Sequence, residues 1–181
     1  LVIILYRVMV MDVYKRLAEF CTRIGGRVKQ SMFAWEFVCD VDPDRVLEHF
    51  DEFKDLATSV RGEKGLGKAY FGTSEEYFFL SPKYDEVGFT VERKFGVREY
   101  SDLESFASDI EREWQDYMRE RGLVPDKDFS QSFSFGSHGV SYSYIEATAR
   151  LPYSDIDKLD DVGRAMIGFD REVFLEKLRE W

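Results

Sequence analysis

The hydrophobic positions change period several times along the chain, and each change marks an element. Val13, Leu17, Cys21 and Ile24 recur at helical spacing, so a helix is predicted over about Asp12–Ile24, stopped by Gly25-Gly26. From Val28 to Val41 the period falls to two, with Phe33, Trp35, Phe37 and Cys39 predicted to face inward from one strand. Asp42-Pro43 then reads as a cap with proline at the first helical position. The helix it opens carries Val46, Phe50, Phe53, Ala57 and Val60. A glycine-rich connection, Gly62 to Gly67, leads to strand-like segments at 68–72 and 75–80, and Pro82–Asp85 reads as a turn.

The next strand alternates Val87, Phe89, Val91 and Phe95 against Gly88, Thr90, Glu92 and Lys94. Ser101 and Glu104 form a capping box ahead of an amphipathic helix through Leu103, Ile110, Trp114 and Met118, closed by Gly122. A hairpin follows, with Phe129, Phe133 and Phe135 alternating with serines, a turn at Gly136–Gly139, and a return strand from Val140 to Leu151. On that return strand the apolar face changes sides near Tyr144, which predicts a bulge. Ser154 and Asp157 cap a last helical region expected to break at Gly168 and resume through Phe174, Leu178 and Trp181.

With 68–80 counted as one bulged strand, Val28 to Gly136 reads β-α-β-β-α-β. That order matches the split-βαβ, ferredoxin-like arrangement, with terminal elements added. The predicted class is α+β: a mainly antiparallel sheet of about six strands with helices on one face. No segment has linker composition, so residues 1–181 are expected to form a single domain. Two expectations cover residues 1–8. They form either an added edge strand, Val2 through Val10, or an extension ahead of a start at Met9 or Met11.

Composition narrows the function classes. The 181 residues carry 25 Lys and Arg against 35 Asp and Glu, a net charge of -10, which disfavours general nucleic-acid binding. Six bases within residues 1–30 are the exception, and a solvated helix face accounts for them better than a docking patch. The apolar start, Leu1 to Leu5, is far shorter than the ~20 residues of a membrane span, and it lacks the features of a signal peptide. A cytoplasmic location without membrane attachment is the expectation. The chain has no Asn and only three Gln, which with its charge content points to a thermophilic source. Cys21 and Cys39 read as small buried hydrophobes; a disulfide between them is the alternative in such a source.

Candidate chemistry is sparse. Gly62–Ala69 follows the phosphate-loop spelling but has Ala69 in place of the magnesium-binding hydroxyl and runs from a helix toward a strand. What remains is a glycine loop presenting Lys64 and Lys68 to an anion. Thr90-Val91-Glu92-Arg93-Lys94-Phe95 resembles the E-x-E-x-K signature of the CYTH triphosphate-tunnel family, with Thr90 where the first glutamate belongs. The resemblance implies metal binding by Glu92 and phosphate binding by Lys94. An alternating solvated face explains the same residues more simply. His49 and His138 are the only histidines, and with Cys21 and Cys39 they show no zinc-ligand spacing. No cofactor is expected.

The aromatic excess, 16 Phe, 10 Tyr and 3 Trp, carries the leading expectation. Tyr142 and Tyr144, with Glu146, Arg150 and the nearby His138, suit a semi-polar pocket or an interface. The predicted function is therefore a non-catalytic binding or regulatory domain for a small molecule or a protein, forming a homodimer through its spare aromatic surface. The alternative is a metal-dependent phosphate-ester or polyphosphate hydrolase using Glu92 and Lys94 with the Lys64/Lys68 loop. It requires all four side chains to share one cleft.

Overall fold

A computed structural model describes residues 2–181, the side chains of 5–11 excepted. Its chain order is α1 (Val2–Arg23), β1 (Arg27–Lys29), β2 (Glu36–Asp40), α2 (Pro43–Glu48), α3 (Phe50–Val60), β3 (Lys68–Gly72), β4 (Glu76–Ser81), β5 (Glu86–Phe95), α4 (Tyr100–Glu120), β6 (Ser130–His138), β7 (Tyr142–Pro152), α5 (Leu159–Phe169) and α6 (Leu175–Glu180). The seven strands form one sheet in the order β1-β2-β3-β4-β5-β7-β6. Among the described strands only the β2–β3 pair is parallel.

The α+β class and the mainly antiparallel sheet are as predicted, but the strand count is seven. Residues 68–80 are two strands because Thr73 makes a turn between them: its hydroxyl accepts the N–H groups of Glu75 and Glu76. The split-βαβ order does not form. The crossover through α2 and α3 returns β3 directly beside β2, so no strand separates the parallel pair.

One hydrophobic core joins the inward side of the sheet to the helices. Phe20 from α1, Phe53 from α3, Phe71 from β3, Phe78 from β4, Phe89 from β5, Trp114 from α4 and Phe169 from α5 all belong to it. Phe53 meets both Phe71 and Phe78 edge-on, so α3 rests on the centre of the sheet. The Cys21–Cys39 disulfide pins α1 to β2, with Cα atoms 5.8 Å apart; both sulfurs are also core members, which the burial reading anticipated.

Several local expectations need correction. Residues 2–10 are not an edge strand: their backbone continues α1 as helix, an extension of the turns that Val13, Leu17 and Cys21 anchor to the core. Residues 28–41 are a hairpin rather than one strand. The Ser31 hydroxyl accepts the Phe33 N–H and donates to Glu36, which turns the chain and leaves Phe33 and Trp35 exposed instead of inward. The helix after Pro43 is divided at His49. Ser101 and Glu104 lie inside α4, whose N-cap is Glu99.

The β6–β7 connection lies beyond His138, not at Gly136, which pairs with Tyr144 within the sheet. Strand β7 keeps an unbroken register with both neighbours, so there is no bulge at Tyr144 and the apolar face does not change sides. Ser154 makes no side-chain cap in the 3₁₀ turns of Tyr153–Lys158. Gly168 does not break the last helix. It lies within α5 against the Tyr117 hydroxyl, and the irregularity is a π-helical turn at Asp170–Phe174 joining α5 to α6. Among the described residues, no helix is long and apolar enough to cross a membrane.

Candidate functional site

Because the helices cover one face of the sheet, the other face is a bare surface whose composition is set by the alternate residue of every strand. On β5 these residues are Gly88, Thr90, Glu92 and Lys94. On β7 they are Tyr142, Tyr144, Glu146, Thr148 and Arg150. Strand β6 adds Ser132, Ser134 and His138, and β4 adds Tyr77 and Phe79. The surface is neither a solvated charged face nor a second core. Phe79 is buried on it, and Tyr77, Glu92 and Glu146 are half-buried among polar neighbours.

Register places Glu92 directly across from Glu146 on the adjacent antiparallel strand, and Thr90 across from Thr148. The two threonine hydroxyls bond at 3.0 Å. Two carboxyl groups occupy the next step of the same ladder, where like charges are unfavourable. Lys94 Nζ is 3.5 Å from Glu92 and lies over the Tyr142 ring. Among the described residues Glu146 has no ion-pair partner; the Thr148 hydroxyl donates to it at 3.4 Å. Burial, and then the adjoining Glu92 carboxyl, push the Glu146 pKa up to about 7. On the same face burial, and then the charges of Glu36 and Glu146, raise Tyr70 to about 12. Tyr77 rises further still, burial again coming first.

Glu92, Lys94, Ser134, His138, Tyr142, Tyr144 and Glu146 line one open hollow of about 340 Å³. The His138 ring packs on both Tyr142 and Tyr144, with centroids 4.8 and 5.7 Å away. Most of the residues singled out from the aromatic strand are thus together, and Glu92 and Lys94 join them. Arg150 shares their face but stands farther along β7, donating to Ser132 at 2.8 Å. Lys64 and Lys68 line a separate hollow by the start of β3, so the four side chains of the phosphate-hydrolysis reading do not meet in one cleft. Among the described residues, no three His, Cys, Asp or Glu side chains are placed to hold a metal ion.

Sequence reasoning missed a second charged cluster, on the helix side. Asp170 is fully buried where α5 enters its π-helical turn, and Arg93 donates two bonds to it at 3.0 and 2.6 Å. Arg171 reaches Glu76 at 2.9 Å and Asp44 at 2.8 Å. Burial and the neighbouring Asp170 carboxyl push Glu76 up to about 7, against the pull of Arg171. A signal was present: Arg93 and Glu76 occupy inward positions in strands otherwise apolar on that side. Both arginines are committed to carboxylates, so this cluster ties α5 and α2 to the sheet.

No family model matches the chain, and no curated protein or solved structure is significantly similar to it.

Proposed function

We propose that this chain is a non-catalytic binding domain that takes a small polar ligand on its open sheet face, with the ligand's cationic group received between Glu92 and Glu146. The observation carrying this reading is that carboxyl pair. Opposed carboxyl groups weaken a sheet, and a residue that breaks a local rule without a folding gain points to function. Without ligand, the high pKa of Glu146 lets the pair hold a proton near neutrality. An ammonium or guanidinium group arriving there replaces that proton and supplies the close ion-pair partner Glu146 otherwise lacks. Tyr142 and Tyr144 add aromatic walls suited to a cation.

The test is calorimetric titration with simple diamines and guanidino compounds at pH 7, in two buffers of different ionisation enthalpy. Binding should release protons, and Glu146→Gln should abolish both the release and most of the affinity. Absence of binding by either class, or binding indifferent to Glu146→Gln, would overturn the proposal.

A further inference from the structure

The hollow that holds Lys64 and Lys68 has a chemistry of its own. Its lining also includes Lys83, Trp35 and Tyr84, and its open volume is about 380 Å³. In a chain of net charge -10, three lysines line this one hollow, and among the described residues none of them has an ion-pair partner. The one carboxylate at the rim, Glu36, accepts a hydrogen bond from Ser31 at 2.8 Å.

The aromatic side is equally distinctive. Trp35 is 54% exposed and Tyr84 67%, so both rings can be reached from solvent at the rim of the hollow. Trp35 is nonetheless held in place. Phe33 stacks behind it at 4.8 Å, and its carbonyl accepts the N–H groups of Gly67 at 2.7 Å and Lys68 at 3.2 Å. Gly67 packs so closely that a Cβ there would lie 2.8 Å from the indole Cδ1. The glycine loop is therefore clamped to the tryptophan. Lys68 is steadied in turn over the Phe79 ring at 4.7 Å.

We infer that this hollow is a second binding site, for a ligand of the nucleotide class. Its aromatic ring would stack on Trp35 and its phosphates would lie among Lys64, Lys68 and Lys83. A fixed indole face accepts any flat base, and flexible ammonium groups serve a phosphate chain as point charges. The site stands apart from the Glu92–Glu146 hollow and does not rest on that reading.

The experiment is calorimetric titration of the full chain with ATP, tripolyphosphate and adenosine. ATP is expected to bind about ten-fold more tightly than tripolyphosphate, the contribution of one stacked base, and adenosine more weakly than ATP. Trp35→Ala should bring ATP down to the tripolyphosphate level, and Lys64→Ala with Lys83→Ala should weaken both phosphates at least about ten-fold. These side chains are largely outside the core, and an unchanged melting temperature will show that the variants fold. Glu92→Gln should leave ATP binding intact. No ATP binding, equal affinity for ATP and tripolyphosphate, or indifference to Trp35→Ala would each overturn the assignment. Loss of ATP binding in Glu92→Gln would overturn it too, by moving the site to the other hollow.

Discussion

Arg93 grips Asp170 through two parallel bonds, Nε to Oδ1 and Nη2 to Oδ2, although its neighbours on β5, Glu92 and Lys94, point to the opposite face. One strand therefore serves two purposes. Its inward charge fastens the last helical segment to the sheet, while its outward charges shape a hollow. Removing one partner of such a buried pair leaves the other uncompensated, so Arg93→Met or Asp170→Leu alone should cost about 3–5 kcal/mol of folding stability. Replacing both, as Arg93→Met with Asp170→Leu, should cost less than either single change. Chemical denaturation of the three variants checks this. Additive losses would mean that the pair contributes nothing as a pair.

The Glu146 carboxyl gives a pH dependence whose sign follows from its direction of shift. Its folded pKa lies above the ordinary carboxyl value, so its stabilising contribution is full below about pH 4.5 and disappears as pH rises through about 7. Glu76 shifts in the same direction, and stability should fall from pH 5 to pH 8 through both groups. Glu146→Gln should flatten part of that slope and raise the melting temperature at pH 8 by a few degrees, roughly the effect of 1 kcal/mol in a chain of this size. Thermal denaturation across that pH range decides it. An unchanged slope in the variant would mean that Glu146 is not a source of the pH dependence.

How much of this was legible beforehand depends on which interactions set each feature. The central stretches of α3, β5 and α4 were readable because a single buried face imposes one period on each. Residues 28–41 misled because Phe33 and Trp35 continue the alternation of Phe37 and Cys39, while the turn rests on the small Ser31 hydroxyl. Gly168 suggested a break by composition, yet tertiary packing against Tyr117 makes a glycine compatible with continuous helix there. Tyr142, Tyr144 and Glu146 could be grouped as one face of one strand. Their meeting with Glu92 could not, since cross-strand register between segments some fifty residues apart is settled by the whole sheet.

Gly88 offers a local test of how tightly the open face is built. The Phe79 ring and the carbonyl oxygen of Ala149 occupy the space a Cβ at Gly88 would need. The ring can tilt, but the carbonyl belongs to the neighbouring strand and cannot retreat without disturbing the ladder. Gly88→Ala should therefore destabilise by about 1–3 kcal/mol, despite the general preference for alanine over glycine in strands. Equilibrium denaturation reads the value, and a neutral or stabilising outcome would mean the two strands can part more easily than this packing implies.

The Cys21–Cys39 bridge closes a loop with a sequence separation of 18 and ties α1 to β2. Constraint of the unfolded chain by a loop of that length is worth about 3 kcal/mol. For a domain of this size that corresponds to roughly 6–12 °C in melting temperature. Cys21→Ala with Cys39→Ala removes the bridge along with two sulfurs packed in the core, so its loss should be at least as large as that caused by reductant alone. The comparison separates the two contributions. Reductant lowers the wild-type melting point by the cross-link term only, leaves the double variant unmoved, and the remaining gap measures packing. If reductant shifts neither protein, the thiols are unbridged in solution, and α1 is held to β2 by packing such as the edge-on contact of Tyr14 with Phe37.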